Sequence, residues 1–233
     1  MQETTMSTEE LVREQEKLKN EISQLHVLQN GIVSVVADMV EHRGKVIEGH
    51  IEQTTEYVRI VIEAMLDRGV YGSELREMDL EMLVAAARMY DIGKIAIPDI
   101  IIYKPGKLSN DEFEIMKTHA MKGERIIEQM AVRVGSEMDY LHHAKLFAGF
   151  HHERWDGKGY PHGLDRLNIP LQGRIIAIVD VYNALVSHRP YKNPFTPEEA
   201  VKIIMDSTGE MFDPLIAETF FVCRSKLEMV KDK

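Results

Sequence analysis

The sequence predicts an all-α protein, on three observations. Apolar residues recur at helical spacing, as in Ile51, Thr54, Val58, Val61, Ile62 and Met65, which share one helix face. Helix-start signals punctuate the chain: Ser109 with Glu112, and Thr196 with Pro197 and Glu199, have the pattern of capping boxes. No strand-like alternation of any length competes with these helices. The length fits one helical domain, residues 46–233, preceded by a coiled-coil-like helical segment, residues 1–45.

Composition narrows the function. A formal net charge of -10 over 233 residues argues against a binder of polymeric nucleic acid, whose footprint is basic. A hydrophobic content of 44% is enough to bury a core. The single cysteine, Cys223, excludes an internal disulfide framework and reads as a small buried hydrophobe in a reducing compartment. No run reaches the roughly 18 apolar residues of a membrane span, and the start MQETTMSTEE is acidic and polar, unlike a signal peptide. A cytoplasmic protein is the expectation.

In chain order, Leu11, Leu18, Leu25 and Ile32, with Val36 or Met39, form an apolar line close to a seven-residue period, opened by Ser7 and Glu10 as a capping box. Such a helix either dimerises or packs on its own domain. Gly44 and Gly49 mark a break, and His50 then starts an amphipathic helix. A first-turn histidine is by itself often just exposed. A further helix runs from Asp79 through Ala85, Ala86 and Ala87, small residues that imply close packing, into YDIGKIAIPD at Tyr90–Asp99. Asp91 and Lys94 flank Gly93 there.

After a Pro-Gly turn, the helix opened by Ser109 carries His119. Its neighbours Phe113, Ile115, Met116 and Ile126 read as core, so His119 alone is compatible with a satisfied core histidine. Val132 to His143 reads as a connection around Gly135, with His142 and His143 at the surface or a helix end. Leu146–Phe150 then delivers His151 and His152 into HHERWDGKGYPHGL, His151–Leu164. Two imidazoles, the acceptors Glu153 and Asp156, and an irregular backbone set by Gly157, Gly159, Pro161 and Gly163 meet within that string. Either histidine alone is compatible with a structural loop. Asp180 lies within the almost wholly apolar RIIAIVDVYNALV, where an unpaired carboxylate is costly or becomes protonated, so a metal is its simplest partner. Arg189 and Lys192 form a basic pair beyond it.

The string His151–Leu164 resembles the signature of the HD-GYP family, bacterial phosphohydrolases that open cyclic di-GMP, and the resemblance covers most of residues 48–222. It implies an HD-superfamily helical bundle. It also implies metal ligands at His50, Asp91, His119, His151, His152 and Asp180, with Asp91 bridging and Lys94 beside it at the catalytic centre. The 28-residue intervals from Asp91 to His119 and from His152 to Asp180 are those of the family. Lys94, Arg189 and Lys192 would hold the substrate's phosphates. Arg154, Asp156, Gly159, Tyr160 and Pro161 belong to an exposed GYP loop that orders the site from outside. The donor set is imidazole and carboxylate without thiolate, and the family is associated with two ions of iron or manganese. Such a pair acidifies a water and clamps the phosphodiester for in-line attack, giving pGpG or GMP.

The chain departs from the family at several positions. Tyr90 stands where the name-giving histidine is expected, which leaves one of two metal sites a ligand short and predicts a single ion if that site stays empty. Val46 replaces a glutamate of trinuclear members, Gln53 an arginine, Asn183 a second aspartate and Met211 a histidine. Three readings follow: a cyclic di-GMP phosphodiesterase with a weakened first site; a degenerate domain that binds metal or nucleotide and signals through its N-terminal helix and GYP loop; or a phosphohydrolase of another nucleotide. The partners implied are cyclic di-GMP or a related nucleotide, a second copy through the N-terminal helix, and a signalling protein at the GYP loop.

Overall fold

The computed structural model describes residues 8–43, 49–135, 138–187 and 193–231. Ser7, Gly44 and Val46 lie outside them. The described residues form α-helices and short 3-10 turns, with one isolated bridge, Thr208 to Phe212, and no strand. No described helix is long and apolar enough to cross a membrane. The chain divides into two compact units, residues 1–36 and 37–233.

The first unit is the greater part of helix α1 (Thr8–Arg43). Its apolar line is open to solvent: Leu11, Leu18, Leu25 and Ile32 are between 51% and 62% exposed.

The second unit is built around α8 (Leu171–Val186), which is apolar on nearly every face and therefore buried on nearly every face. It packs against α2 (His50–Arg68), α7 (Asp139–Phe150), α9 (Pro197–Asp206) and α10 (Pro214–Lys231). Tyr182 of α8 joins these layers, meeting Tyr57 of α2 edge-on at 5.2 Å and Phe220 of α10 at 5.1 Å between ring centroids. The apolar face of α2 predicted from Ile51 to Met65 is buried. Capping boxes start α6 (Asn110–Val134) at Ser109 and α9 at Thr196, so two amides at each N-terminus donate to side-chain oxygens.

Two glycines bring helices closer than a side chain permits, and both bear on the site. The helix α4 (Leu80–Ala86) tightens into a 3-10 turn at Ala87–Met89, and a second 3-10 turn follows Asp91. A Cβ on Gly93 in that second turn would collide with the His119 carbonyl and stand 2.5 Å from the Gly123 amide nitrogen. The Asp91 turn thus presses directly on α6. On α8, a Cβ at Gly173 would stand 2.7 Å from Phe150 Cβ, which sets α8 against the last residue of α7 before His151.

Two expectations are corrected. Phe113 and Ile115 are 48% and 41% exposed, because burial in α6 begins only at His119 and its first turns face no core. His143 is buried, not superficial, since it shares the inner face of α7 with Tyr140, Ala144 and Phe147 and accepts from Gln172 Nε2 at 3.0 Å. His142 is exposed.

Candidate metal centre

Three imidazoles meet where α6 passes the end of α7. His119 Nδ1 lies 2.7 Å from the Met116 carbonyl, and His151 Nδ1 lies 2.9 Å from the Ala148 carbonyl. A carbonyl only accepts, so each Nδ1 carries the proton and each Nε2 is left with a lone pair. Those two Nε2 atoms face one another at 2.9 Å. His152 adds a third donor, and the ligand atoms of the three lie within 4.8 Å of one another. Burial brings His119 down to about 4 and lowers His151 and His152 as well, so at neutral pH all three are in the unprotonated form that binds metals.

Asp91 completes this cluster. Its Oδ2 pairs with Lys94 Nζ, while its buried Oδ1 accepts no hydrogen bond and stands 3.4 Å from His119 Nε2 and 3.8 Å from His151 Nε2. Burial pushes this carboxyl up, but Lys94 and the two histidines outweigh that and hold it well below the usual carboxylate range. Three converging lone pairs beside an orphaned carboxylate oxygen fit a divalent cation, and the nitrogen and oxygen donors suit iron, manganese or zinc.

His50 and Asp180 lie on the other side of Tyr90. The Tyr90 hydroxyl donates to Asp180 Oδ1 at 3.0 Å, and its oxygen is 3.4 Å from His50 Nε2. Tyr90 is buried, and burial together with Asp180 and Asp91 raises its phenol well above the ordinary value, so it is neutral. Asn183 serves structure: its Nδ2 donates to the His50 carbonyl at 3.1 Å and to Thr54 Oγ1 at 2.8 Å, and its Oδ1 accepts from Ser187.

The loop His151–Leu164 folds back over His152. Glu153 is buried, and its carboxylate accepts from the backbone amides of His162, Gly163 and Leu164 at 2.7, 3.2 and 3.0 Å. The Trp155 and Asp156 amides donate to the Met211 and Glu210 carbonyls, tying the loop to the turn before α10. Arg154 pairs with Asp156 through two hydrogen bonds, and the Tyr160–Pro161 peptide bond is cis. The Tyr160 ring lies over His152 with centroids 4.7 Å apart. The expected surface loop is therefore corrected: Arg154 to Pro161 is half-buried apart from Lys158, and exposure begins at His162. Glu153 is the reason, since three amides drawn to one buried carboxylate close the loop onto the site.

A cleft of about 320 Å³ opens beside the imidazoles, lined by His152, Tyr160, Asp180, Met211, Phe113 and Lys117. Lys117 Nζ sits 5.6 Å from the Phe113 ring and 5.7 Å from the Tyr160 ring. The sequence pattern places Phe113 in the core and gives Lys117 no role. An aromatic residue and a lysine four apart, six and two residues before His119, are the available signal. Arg189 and Lys192 lie outside the described residues.

Residues 34–216 match the family described as HD domain. The chain belongs to that HD domain family. Within it, the GYP loop string marks the HD-GYP type. Among curated proteins, a probable cyclic di-GMP phosphodiesterase of Vibrio cholerae is 36% identical over 91% of this chain and 49% of its own. A cyclic di-GMP phosphodiesterase of Thermotoga maritima is 47% identical over 58% of this chain and 35% of its own. A 3'3'-cGAMP-specific phosphodiesterase of Vibrio cholerae is 36% identical over 80% of this chain and 33% of its own. The chain spans about half the length, or less, of these curated relatives.

Proposed function

We propose that this chain is a metal-dependent phosphodiesterase domain that hydrolyses cyclic di-GMP to pGpG or GMP. The reading is carried by one observation: the Nε2 lone pairs of His119 and His151 converge at 2.9 Å beside the orphaned Asp91 oxygen. Two relatives named for cyclic di-GMP hydrolysis support the substrate. His119, His151, His152 and Asp91 hold a divalent ion, iron or manganese. When bound, it supplies Lewis acidity and an acidified water.

The protein's own residues prepare and shield that centre. Backbone carbonyls of Met116 and Ala148 fix the imidazole tautomers, and burial keeps the rings neutral. Lys94 keeps Asp91 ionised and places a positive charge where a phosphoryl oxygen can approach. Tyr160 and the latched loop cover one face of the His152 ring. Arg189 and Lys192 hold the substrate's phosphates. The helix α1 pairs two copies, the GYP loop receives a signalling partner, and the protein works in the cytoplasm.

Purified protein incubated with Mn²⁺ and cyclic di-GMP should yield pGpG or GMP on nucleotide chromatography. A chelator should stop the reaction, and His119→Ala should abolish it. Intact cyclic di-GMP after incubation with metal-loaded protein rejects the hydrolase reading. In that case nucleotide binding without turnover identifies a signalling module, the second reading, which the tie between Tyr90 and Asp180 favours. Parallel incubation with 3'3'-cGAMP tests the third, since one relative is named for that substrate.

A further inference from the structure

The two halves of the centre differ in what their donor atoms already do. In the half formed by His119, His151, His152 and Asp91, lone pairs face lone pairs and a buried carboxylate oxygen accepts no hydrogen bond. In the half formed by His50 and Asp180, the facing atoms are already bridged. The Tyr90 oxygen lies 3.0 Å from Asp180 Oδ1 and 3.4 Å from His50 Nε2, so the phenol occupies the point at which an ion shared by them would sit.

That phenol is buried at the centre of the site. Tyr90 is 2% exposed, and its ring stands edge-on to His151 at 5.4 Å, between the two halves. Its proton satisfies the Asp180 carboxylate in the way a cation otherwise would. Asn183, one turn beyond Asp180 on α8, supplies no replacement charge: its amide is spent on the His50 carbonyl and Thr54, which anchors the start of α2 to α8 by neutral hydrogen bonds. Among the described residues, the cluster with mutually convergent ligand atoms is the histidine triad alone.

We infer that this chain holds a single divalent ion at His119, His151, His152 and Asp91, and that the Tyr90 hydroxyl stands in for a second ion between His50 and Asp180. The inference rests on the metal reading proposed above, but not on hydrolysis. His50 and Asp180 then act as hydrogen-bonding partners of a phenol, and the ion's charge is confined to the side of the site nearest Lys94 and the GYP loop.

The test is Mn²⁺ stoichiometry on the full chain, by elemental analysis after equilibrium dialysis, with electron paramagnetic resonance as a second readout. Wild-type protein should hold one Mn²⁺ with the spectrum of an isolated ion. His119→Ala should weaken binding at least about tenfold, as loss of a direct ligand must exceed the loss of a supporting contact. His50→Ala should keep one Mn²⁺ with affinity within about twofold of wild type, and Tyr90→His should raise the content to two ions with an exchange-coupled spectrum. Two coupled ions in the wild type, loss of the ion in His50→Ala, or a single ion in folded Tyr90→His would each overturn the inference. Should Tyr90→His not fold, the wild-type and His50→Ala measurements still decide. Absence of any bound ion rejects this inference and the metal reading together, whereas one bound ion without turnover of cyclic di-GMP rejects only the proposed activity.

Discussion

Glu153 gathers the amides of three residues nine to eleven positions further on, and the loop's closure over His152 depends on it. Removing the carboxylate leaves three donors in a half-buried loop, and each unmet donor costs about 1–3 kcal/mol where water does not reach it. Glu153→Ala should therefore lower stability in urea by about 2–4 kcal/mol and speed amide exchange at 162–164. Unchanged exchange there would show that other contacts hold the loop. His143 provides a pH dependence away from the metal centre. Its folded pKa is lowered by burial, so the unfolded chain binds the proton more readily than the folded one. The stability it contributes is complete above the ordinary histidine pKa of about 6.5 and is lost as pH falls below it. Between pH 7 and pH 5, metal-free wild type should lose more stability than His143→Leu, measured by denaturant unfolding at each pH.

At the scale of elements, contacts between backbones position the donors. Gly93 allows the 3-10 turn after Asp91 to touch α6 at the carbonyl of His119, so the carboxylate and imidazole reach one point from different elements. A methyl group there meets backbone, which cannot swing aside as a long side chain can. Gly93→Ala should separate the two and weaken Mn²⁺ binding at least about tenfold, with a lower melting temperature. Gly31 is the contrast: on α1 a Cβ meets nothing within 4 Å, and Gly31→Ala should leave metal binding alone while stabilising that helix by up to about 1 kcal/mol. Equal metal affinity in Gly93→Ala and Gly31→Ala would remove the role assigned to the close approach. The buried ion pair of Arg174 and Asp213, at 2.8 Å and joined by the Tyr71 hydroxyl, fastens the starts of α8 and α10 in a similar way.

For the molecule as a whole, the open question of assembly falls on α1. Its line of Leu11, Leu18, Leu25 and Ile32 repeats every seven residues and remains exposed, the pattern of a seam that a second helix covers. Light scattering should give twice the chain mass for the full protein and one chain mass for a truncation that begins near Glu41. Monomer masses for both would end the dimer proposal.

The sequence by itself determined what depends on neighbours along the chain. The helical face from Ile51 to Met65, the capping boxes at Ser109 and Thr196 and the all-α class were legible because spacing and residue chemistry are local properties, whereas the donor set of His119, His151 and His152 came from the resemblance of the loop string and not from spacing. Only the tertiary structure decided which side chains meet across long separations. Tyr90 and Asp180 are 90 residues apart, and no periodicity announces that one would donate a hydrogen bond to the other. The exposure of Phe113, the burial of His143 and the closing of the GYP loop were hidden for the same reason: each depends on where a neighbouring element begins or ends its cover, which packing sets and residue type does not.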